Sequence, residues 1–461
     1  MLLGIPFSIY FNDDDIYVLL FSGLGTSLIG FLLFLYTKNK DKEIRKREGY
    51  IVVSIGWLVM SLFGAIPFVL HGSIPSYTDA FFETMSGFTT TGASILNDIE
   101  SLPHGLLFWR SVTQWLGGMG MIVLSLAILP ILGIGGMQLF VAEVPGPTKD
   151  KLHPRVRETA VRLWGIYAIF TLLETLLLLL GGMTFFDAIC HSFTTMATGG
   201  FSTKQASIAY YQSPFIHYVI IAFMFIAGVN FTLHYHLLHG KIQNVKKNEE
   251  FKFYSFVIIF WAVVIAAILF FSGYGSAEAS FRDSLFQVVS MITTTGFVTA
   301  DYEQWGTFLL LIFFILLFSG GSAGSTGGGI KIVRHLLLFK NSFLELRRLI
   351  HPRAVIPVRY NNHSVPQDII SNILAFFLFY IFIFIVGSLV MSILGLDFMS
   401  AMGSVATSLG NVGPALGSVG PTDNFSHIPM LGKWFLSFLM LLGRLELFTI
   451  LVIFSPAFWK T

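Results

Sequence analysis

Long apolar runs, each about the length of a membrane-spanning helix, alternate with short polar stretches along the whole chain. Residues 16–36, 50–70 and 164–180 are three examples, and each contains at most one charged side chain. A hydrocarbon core about 30 Å thick needs roughly 20 apolar residues per helix. The pattern therefore predicts an all-α integral membrane protein with many spans.

Composition agrees with a location in lipid. Of the 461 residues, 54% are hydrophobic and 12% are charged, whereas about a quarter of the residues in soluble proteins are charged. The net charge of +2 says little about partners, and we expect no nucleic-acid partner. The single cysteine, Cys190, excludes an internal disulfide framework and a CxxC metal site.

The basic residues are not spread evenly, and their clustering predicts the orientation of the chain. Residues 38–47, 149–162, 241–252 and 331–359, together with Lys460, hold 23 of the 28 lysines and arginines. Loops rich in lysine and arginine stay in the cytoplasm. We therefore expect these four loops and the C-terminus to be cytoplasmic.

Four internal repeats are the main feature of the sequence. Each repeat has a short segment, rich in small and hydroxyl residues, that contains a key glycine, at residues 82–93, 191–200, 289–297 and 406–414. The central glycines are Gly92, Gly199, Gly296 and Gly413. A spacing of about 100 residues is too long for a solenoid. It suits a unit of two spanning helices with a re-entrant element between them.

An aspartate precedes each glycine by 12 to 16 residues, at Asp79, Asp187, Asp283 and Asp397. Each carboxylate is expected to cap a short helix that runs into the membrane, since it accepts from free backbone N–H groups. The carbonyl end of that helix then favours a cation at the membrane centre. Irregular backbone at this depth must line water or be buried in protein.

These repeats predict the organisation of the chain. We expect repeat 1 at residues 50–140, repeat 2 at 159–240, repeat 3 at 253–340 and repeat 4 at 366–461. Residues 1–49 then form one or two extra N-terminal membrane segments and a basic linker. The first eleven residues are apolar but too short to span, so they are expected to be the end of an incomplete helix or an interfacial segment.

The glycine segments carry the chemistry that a potassium ion requires. The ion sheds its water only where oxygens replace it, and rings of backbone carbonyls supply them. Glycine permits positive φ and close approach of the backbone. Four such segments in register indicate a filter more strongly than four unrelated turns, which is the alternative. The candidate filter residues are Thr90, Thr91, Gly92, Ala197, Thr198, Gly199, Thr294, Thr295, Gly296, Asn411, Val412 and Gly413.

Several motifs resemble those of the Trk/Ktr/HKT superfamily of potassium transporters, and most closely its TrkH branch. The motifs are TTTGA at 89–93, QWLGGMG at 114–120, GGMQ at 135–138, GSTGGG at 324–329 and GRLELFT at 443–449. The resemblance covers the chain from about residue 43 to its end. It implies four fused potassium-channel-like units in a pseudo-fourfold arrangement, which work as a homodimer in the bacterial cytoplasmic (inner) membrane.

The resemblance also implies selectivity and a partner. In this superfamily, glycine at the key position of all four repeats accompanies potassium preference, whereas serine in the first repeat accompanies sodium permeation. All four are glycine here. TrkH-type subunits pair with a cytosolic nucleotide-binding subunit of the TrkA type, for which residues 331–359 offer a basic docking surface. No organic cofactor is expected in this chain, and potassium is its cargo.

The segment 319–329 contains six glycines in eleven residues and cannot hold a stable helix. A tight crossing of helix backbones is one explanation. A phosphate-binding loop is not, because no Gly-Lys-Ser/Thr sequence follows. The resemblance implies an intramembrane gate below the filter. Its candidate residues are Gly320, Gly321, Gly324, Gly327 and Gly328.

Arg444 lies within the last apolar helix. An arginine at mid-membrane faces a cavity or a partner, because its insertion into lipid costs about 2.5–3.5 kcal/mol of free energy even on the scale from translocon insertion, which gives the lowest values. One alternative is a salt bridge to Glu446 or another carboxylate. The resemblance implies instead that Arg444 projects into the pore below the filter, as an electrostatic barrier near the gate.

Other functional classes fit the sequence less well. An intramembrane enzyme needs a catalytic pair or metal cluster, and none occurs at a convincing spacing; a metal site at His234, His236 and His239 is a weaker alternative to solvated histidines. A transporter of organic solutes would show inverted repeats, whereas these repeats are parallel. Coupled symport of potassium with protons or sodium, and a less selective potassium and sodium channel, stay open as alternatives.

Overall fold

The structure is a computed structural model that describes residues 1–38, 46–123, 152–354 and 356–460. Within these ranges, five helices are long and apolar enough to cross a membrane: Ile16–Thr37, Arg47–His71, Glu158–Leu180, Glu249–Phe271 and Gln367–Ile393. Two bent helix pairs raise the number to seven if each pair is one span. The all-α membrane fold with four fused repeats is confirmed. The GGMQ motif at residues 135–138 lies outside the described residues.

The helices named here are those of the described ranges. In chain order they are α1 (Ile5–Phe11), α2 (Ile16–Thr37), α3 (Lys46–Gly64), α4 (Ile66–His71), α5 (Tyr77–Phe88), α6 (His104–Val123), α7 (Leu152–Leu180), α8 (Phe185–Met196), α9 (Pro214–Ala227), α10 (Phe231–Leu238), α11 (Ile242–Lys247), α12 (Glu249–Phe271), α13 (Ala277–Ile292), α14 (Thr307–Leu316), α15 (Ile332–Ile350), α16 (Gln367–Ile393), α17 (Phe398–Gly410), α18 (Met430–Arg444), α19 (Phe448–Leu451) and α20 (Pro456–Trp459). Single 3₁₀ turns occupy Leu2–Gly4, Ser207–Tyr210, Tyr302–Trp305, Gly417–Val419 and Val452–Phe454. Two short strands, β1 (Arg359–Tyr360) and β2 (His363–Ser364), pair antiparallel as a hairpin between α15 and α16.

Each repeat has a long outer helix, a short pore helix and an inner helix. The pore helices are α5, α8, α13 and α17, and their inward-facing halves are buried. Pore helix α5 contacts inner helix α18 of repeat 4, α8 contacts α6 of repeat 1, and α13 contacts α9 of repeat 2. This exchange of contacts between consecutive repeats arranges the pore helices around one axis.

The predicted aspartate caps are correct for one pore helix only. Asp397 accepts hydrogen bonds from Met399 N at 3.1 Å and Ser400 N at 3.2 Å, as an N-cap does. In the other pore helices the caps are Ser76, Thr184 and Ser276. Serine and threonine hydroxyls accept the same backbone bonds, so Asp79 and Asp187 lie one turn inside their helices and Asp283 lies deeper still.

The N-terminal residues form a short helical segment that packs on repeat 1. Leu2–Phe11 is one of the shorter apolar helices, and α1 contacts α6. Just beyond it, Asp13 accepts a hydrogen bond from His104 N at 2.7 Å, and Asp15 accepts one from Leu106 N at 2.9 Å. These carboxylates satisfy free N–H groups at the start of α6 and lie at its positive dipole end.

Two inner helices bend sharply at a similar position in their repeats. The angle between α9 and α10 is 101°, and the angle between α18 and the segment that follows it is 108°. In repeat 3 the inner helix stops at Leu316 and resumes at Ile332, with the glycine-rich loop between. The sequence predicted the break in repeat 3 but not those in repeats 2 and 4.

Candidate ion pathway

Four glycines with positive φ lie at the corresponding point of the four repeats. Gly92 has φ 83°, Gly200 has φ 78°, Gly296 has φ 80° and Gly413 has φ 107°. Two residues earlier, each repeat has a non-glycine residue with positive φ, namely Thr90, Thr198, Thr294 or Asn411, at 52–59°. The same backbone path therefore recurs in all four loops.

Each of these glycines faces a backbone carbonyl of the next repeat. A Cβ added to Gly92 would lie 2.2 Å from Gly199 O, and one added to Gly200 would lie 2.0 Å from Thr295 O. A Cβ on Gly296 would lie 2.0 Å from Val412 O, and one on Gly413 would lie 2.8 Å from Thr91 O. The contacts run from repeat 1 to 2, 2 to 3, 3 to 4 and back to 1, so they close a ring.

This ring corrects the predicted register of repeat 2 by one residue. Sequence comparison aligned Gly199 with Gly92, because each follows a threonine. In the structure Gly200 has the positive φ and the neighbouring carbonyl, while Gly199 supplies the carbonyl that faces Gly92. The equivalent triplet of repeat 2 is thus Thr198, Gly199 and Gly200, and Ala197 precedes it.

The pore-helix position nine residues before each ring glycine, here called the brace position, supports the outer part of the loop in three of the four repeats. Glu83 accepts from Ile95 N at 2.9 Å, and His191 Nε2 lies 2.9 Å from Ser202 Oγ. Gln287 donates to Ala300 O at 3.3 Å. Ser404, the fourth member, donates to Ala401 O within its own helix. The position is shared, but its chemistry differs in every repeat.

Glu83 also forms a buried ion pair that joins two repeats. Arg110 Nε donates to Glu83 Oε1 at 2.7 Å, and the two side chains are 3% and 1% exposed. Arg110 Nη1 donates to Ser202 O at 2.9 Å, and its guanidinium lies 3.5 Å from the centroid of the Phe201 ring. Arg110 was not among the residues predicted from sequence to support the filter.

Gln114, one turn further along α6, completes this support. Its Nε2 donates to Gly199 O at 2.6 Å, and its Oε1 accepts from Phe201 N at 3.0 Å. Both bonds hold the loop of repeat 2 from the inner helix of repeat 1. The QWLGGMG motif contained the signal for this residue, although the sequence alone did not assign it a role.

Side chains at the inner end of the ring turn towards one another and towards the glycine-rich loop. Asn411 Nδ2 donates to Thr91 Oγ1 at 3.0 Å and to Met440 O at 2.8 Å. Thr294 Oγ1 accepts from Gly328 N at 2.7 Å, and Thr198 Oγ1 lies 3.4 Å from Thr326 Oγ1. The loop of repeat 3 therefore contacts the ring directly from below.

The glycine-rich loop, residues 319–329, is packed against backbone where side chains would not fit. A Cβ on Gly327 would lie 2.8 Å from Thr293 O, and one on Gly328 would lie 2.7 Å from Gly410 O. A Cβ on Gly320 would lie 2.5 Å from Gly328 O, and one on Gly321 would lie 3.0 Å from Gly228 O. Gly324 has φ 75°. A close backbone crossing, one of the alternatives from sequence, is thus present.

The loop is also held by hydrogen bonds to repeat 2. Ser322 N donates to Gly228 O at 2.8 Å, and Thr326 Oγ1 donates to Met196 O at 3.0 Å. Phe231 N donates to Gly324 O at 3.1 Å. Because Gly228 and Phe231 flank the bend between α9 and α10, that bend exposes backbone groups that the loop satisfies.

Arg444 lies between the loop and repeat 1. Its Nη1 donates to Thr326 O at 2.8 Å and its Nη2 donates to Gly117 O at 3.0 Å, and the side chain is 1% exposed. Glu446 is not its partner, because the Glu446 carboxylate accepts from Arg334 Nη2 at 2.5 Å. The predicted alternative of a salt bridge to Glu446 was wrong, since α18 ends at Arg444 and the chain turns away at Glu446, where φ is 57°.

The remaining candidates have simpler roles. His234 Nε2 lies 2.9 Å from Ile226 O, and His239 Nδ1 lies 2.9 Å from Tyr235 O, so both bind backbone carbonyls. Across the parts of the chain that the structure covers, no group of three or more His, Cys, Asp or Glu side chains could hold a metal ion. Glu174 is fully buried on α7 beside pore helix α8.

Comparisons with known proteins agree with this architecture. Residues 20–461 match the TrkH family, described as a cation transport protein family. The chain is 46% identical over 436 residues to the Trk system potassium uptake protein TrkH of Salmonella typhimurium, covering 94% of this chain and 90% of that protein. It is 33% identical over 464 residues to the Trk system potassium uptake protein TrkG of Escherichia coli, covering 100% and 95%.

A solved structure has the same fold. The crystal structure of the potassium transporter TrkH from Vibrio parahaemolyticus superimposes with a TM-score of 0.84 at 36% identity, and covers 100% of both chains. The sequence match over nearly the whole chain, the structural match and the fourfold loops lead to one assignment. This chain belongs to the TrkH family of cation transport proteins.

Proposed function

We propose that this protein carries potassium into the cell through a single filter made by its four glycine loops. The observation that supports this most directly is the closed ring of glycine-to-carbonyl contacts around Gly92, Gly200, Gly296 and Gly413. Such a ring brings together backbone carbonyls from the loops of all four repeats, and rings of carbonyls can replace the hydration shell of potassium. The potassium uptake named for its relatives in Salmonella typhimurium and Escherichia coli agrees with this proposal.

The filter residues follow from the corrected register. In repeat 1 they are Thr90, Thr91 and Gly92, in repeat 3 Thr294, Thr295 and Gly296, and in repeat 4 Asn411, Val412 and Gly413. In repeat 2 we assign Thr198, Gly199 and Gly200, with Ala197 at the inner edge.

Reversal potentials in proteoliposomes test the ion preference. With potassium inside and sodium outside, we expect a reversal potential close to that of potassium. We also expect rubidium uptake driven by the outward potassium gradient. Equal permeability to both ions would instead favour the less selective channel. A reversal potential that moves with a proton or sodium gradient at constant potassium would favour coupled symport, and both results would overturn the proposal.

We propose that the glycine-rich loop is the gate. It lies against the ring through Thr294 and Asn411 and is held by Arg444, so it fills the space through which an ion would leave. Deleting part of residues 320–328 should raise rubidium flux about tenfold. Such an increase corresponds to lowering the free-energy barrier to ion passage by about 1.4 kcal/mol. A folded deletion variant with unchanged flux would show that the loop is not the gate.

The membrane arrangement follows the basic loops. Residues 241–252 and 331–359 would lie in the cytoplasm, together with the C-terminus, in a bacterial inner membrane. We propose repeat boundaries near 50–140, 159–240, 253–340 and 366–461. Cysteine labelling from either side of the membrane tests this topology, with labelling of a cysteine at Lys460 expected only from the cytoplasmic side.

We also propose a homodimer and a cytosolic, TrkA-type nucleotide-binding partner. The basic surface of residues 331–359 supports the second proposal, because it can attract an acidic surface. Light scattering of the purified protein should give the mass of a dimer. Co-purification with a TrkA-type protein should weaken as Arg347, Arg348 and Arg353 are replaced by glutamine.

A further inference from the structure

A small hydrophobic cluster lies apart from the main core, next to the exit of the glycine-rich loop. Its members come from α15, from the β1–β2 hairpin and from α16. They are Val333, Leu336, Leu337, Val358, Tyr360, Val365, Ile369, Ile370 and Ile373. Ala323, in the middle of the loop, packs against this cluster. The hairpin and the helix that leaves the loop therefore share one packed unit.

Glu250 joins this unit to the loop through hydrogen bonds. It lies at the start of α12 and is 3% exposed. Glu250 Oε1 accepts from Ala323 N at 2.7 Å, and Glu250 Oε2 accepts from Tyr360 Oη at 3.4 Å. One carboxylate thus contacts the glycine-rich loop on one side and the hairpin on the other.

The neighbouring residue fixes the hairpin to the same helix end. Glu249 N donates to Asn361 Oδ1 at 2.9 Å, and Asn361 N donates to Glu249 Oε2 at 3.2 Å. Lys340 Nζ donates to Glu249 Oε2 at 2.6 Å and to Arg359 O at 2.9 Å. The hairpin, α12 and α15 are therefore linked by several polar contacts on the basic side of the protein.

We propose that Glu250 is a positioning residue of the gate, which couples the glycine-rich loop to the β1–β2 hairpin. The inference rests on the gate role proposed above. A hydrogen bond to a carboxylate is stronger than one between neutral groups, so the Ala323 N–H holds the loop down as long as Glu250 keeps its place. A displacement of the hairpin moves Tyr360 away, frees the carboxylate to rotate and weakens that hold.

Two variants test this coupling in proteoliposomes and by hydrogen exchange. Glu250→Ala should raise the basal rubidium flux about tenfold, because it removes a charge-assisted bond to the loop. Tyr360→Phe should raise it about twofold, because it removes only the weaker contact. In both variants the backbone amides of residues 319–329 should exchange faster, because Tyr360 acts on the loop through the Glu250 carboxylate.

The matched control is Tyr17→Phe, which makes the same chemical change at a side chain on α2 that is 70% exposed. It should leave flux and loop exchange unchanged. The double variant Glu250→Ala with Tyr360→Phe should behave like Glu250→Ala alone, since both act through one carboxylate. If Glu250→Ala does not fold, the exchange of residues 319–329 in Tyr360→Phe decides.

Failure of this inference is distinguishable from failure of the gate proposal. If deletion within 320–328 raises flux but neither Glu250→Ala nor Tyr360→Phe changes flux, the coupling is wrong and the gate stands. Unchanged loop exchange in Tyr360→Phe likewise overturns the coupling. If the deletion itself leaves flux unchanged, the gate proposal fails first.

Discussion

The glycine ring and the layer below it differ in how closely they follow the fourfold repeat of the chain. In the ring, all four repeats contribute the same φ pattern and the same glycine-to-carbonyl contact. Below the ring, the described repeats differ: repeat 3 supplies the glycine-rich loop, repeat 4 supplies Arg444, and repeat 2 supplies the bend that receives the loop. Fourfold repetition is kept in the proposed filter, and it is lost in the proposed gate below it.

The largest expected effect concerns the support around the ring. Glu83→Gln should destabilise the protein by about 3–5 kcal/mol, because it leaves Arg110 charged and buried without its carboxylate. Thermal unfolding in detergent measures the loss. The double variant Glu83→Leu with Arg110→Met removes both charges and should lose much less. Equal losses would mean that the ion pair does not hold the two repeats together.

The next effect separates the ring from ordinary backbone strain. Gly92→Ala should reduce potassium flux about a hundredfold, since a Cβ would collide with Gly199 O and an overpacked contact costs about 1–3 kcal/mol. Gly72→Ala is the matched control. Gly72 also has φ 83°, but nothing lies within 4 Å of its added Cβ.

Both variants carry the same cost of placing alanine at positive φ, so only the collision differs between them. Similar fluxes in Gly72→Ala and Gly92→Ala would contradict the claim that the close Gly199 carbonyl makes glycine necessary at position 92. The comparison is measured as rubidium uptake per folded protein in proteoliposomes.

A smaller effect tests the layer below the ring. Arg444→Ala should raise basal flux several-fold, because it removes both the buried charge and two hydrogen bonds to Thr326 O and Gly117 O. Arg444→Lys keeps the charge but not the forked geometry. It should therefore raise flux less. Flux in Arg444→Lys equal to that of Arg444→Ala would show that Arg444 acts as a tether and not as a barrier.

The smallest effect concerns an outer contact between repeats 3 and 4, made by Glu303 and Gly417. Burial raises the pKa of Glu303, although Gly417 N, which donates to its carboxylate at 2.7 Å, opposes this shift. A group with a raised folded-state pKa favours the folded state most at low pH, and that contribution is lost as pH rises through the folded pKa.

Thermal stability should therefore fall slightly as pH rises above the ordinary pKa of a glutamate, about 4.3. Glu303→Gln should flatten this part of the pH profile. A wild-type profile that rises with pH over the same interval, and is flattened by the variant, would contradict the sign of the shift.

Sequence reasoning reached the overall fold and most of the ring because both depend on local patterns. Apolar length identified the spans, and Thr-Gly pairs located Gly92 and Gly296. It misplaced the ring glycine of repeat 2 because Gly199 and Gly200 are adjacent, and only φ and the facing carbonyl distinguish them.

Other features depend on contacts between distant parts of the chain. Arg110 and Glu83 are 27 residues apart on different helices, so no spacing rule pairs them. The bend after Arg444 is at residues 445–447, which include no glycine or proline, and Gly443 just before it does not adopt positive φ. Glu446 and Leu447 both adopt positive φ there, and tertiary contacts such as the Arg334 ion pair stabilise that conformation.

The brace position of the pore helices has a consequence for how such a protein can be rebuilt. Its four occupants, Glu83, His191, Gln287 and Ser404, are an acid, an imidazole, an amide and a hydroxyl. A chain made of four copies of one repeat would place one of these in every quarter. Copies of repeat 3 would contain neither partner of the Glu83–Arg110 ion pair, and copies of repeat 1 would bury four such ion pairs. The four glycine loops share one backbone path, but the side chains that support them differ.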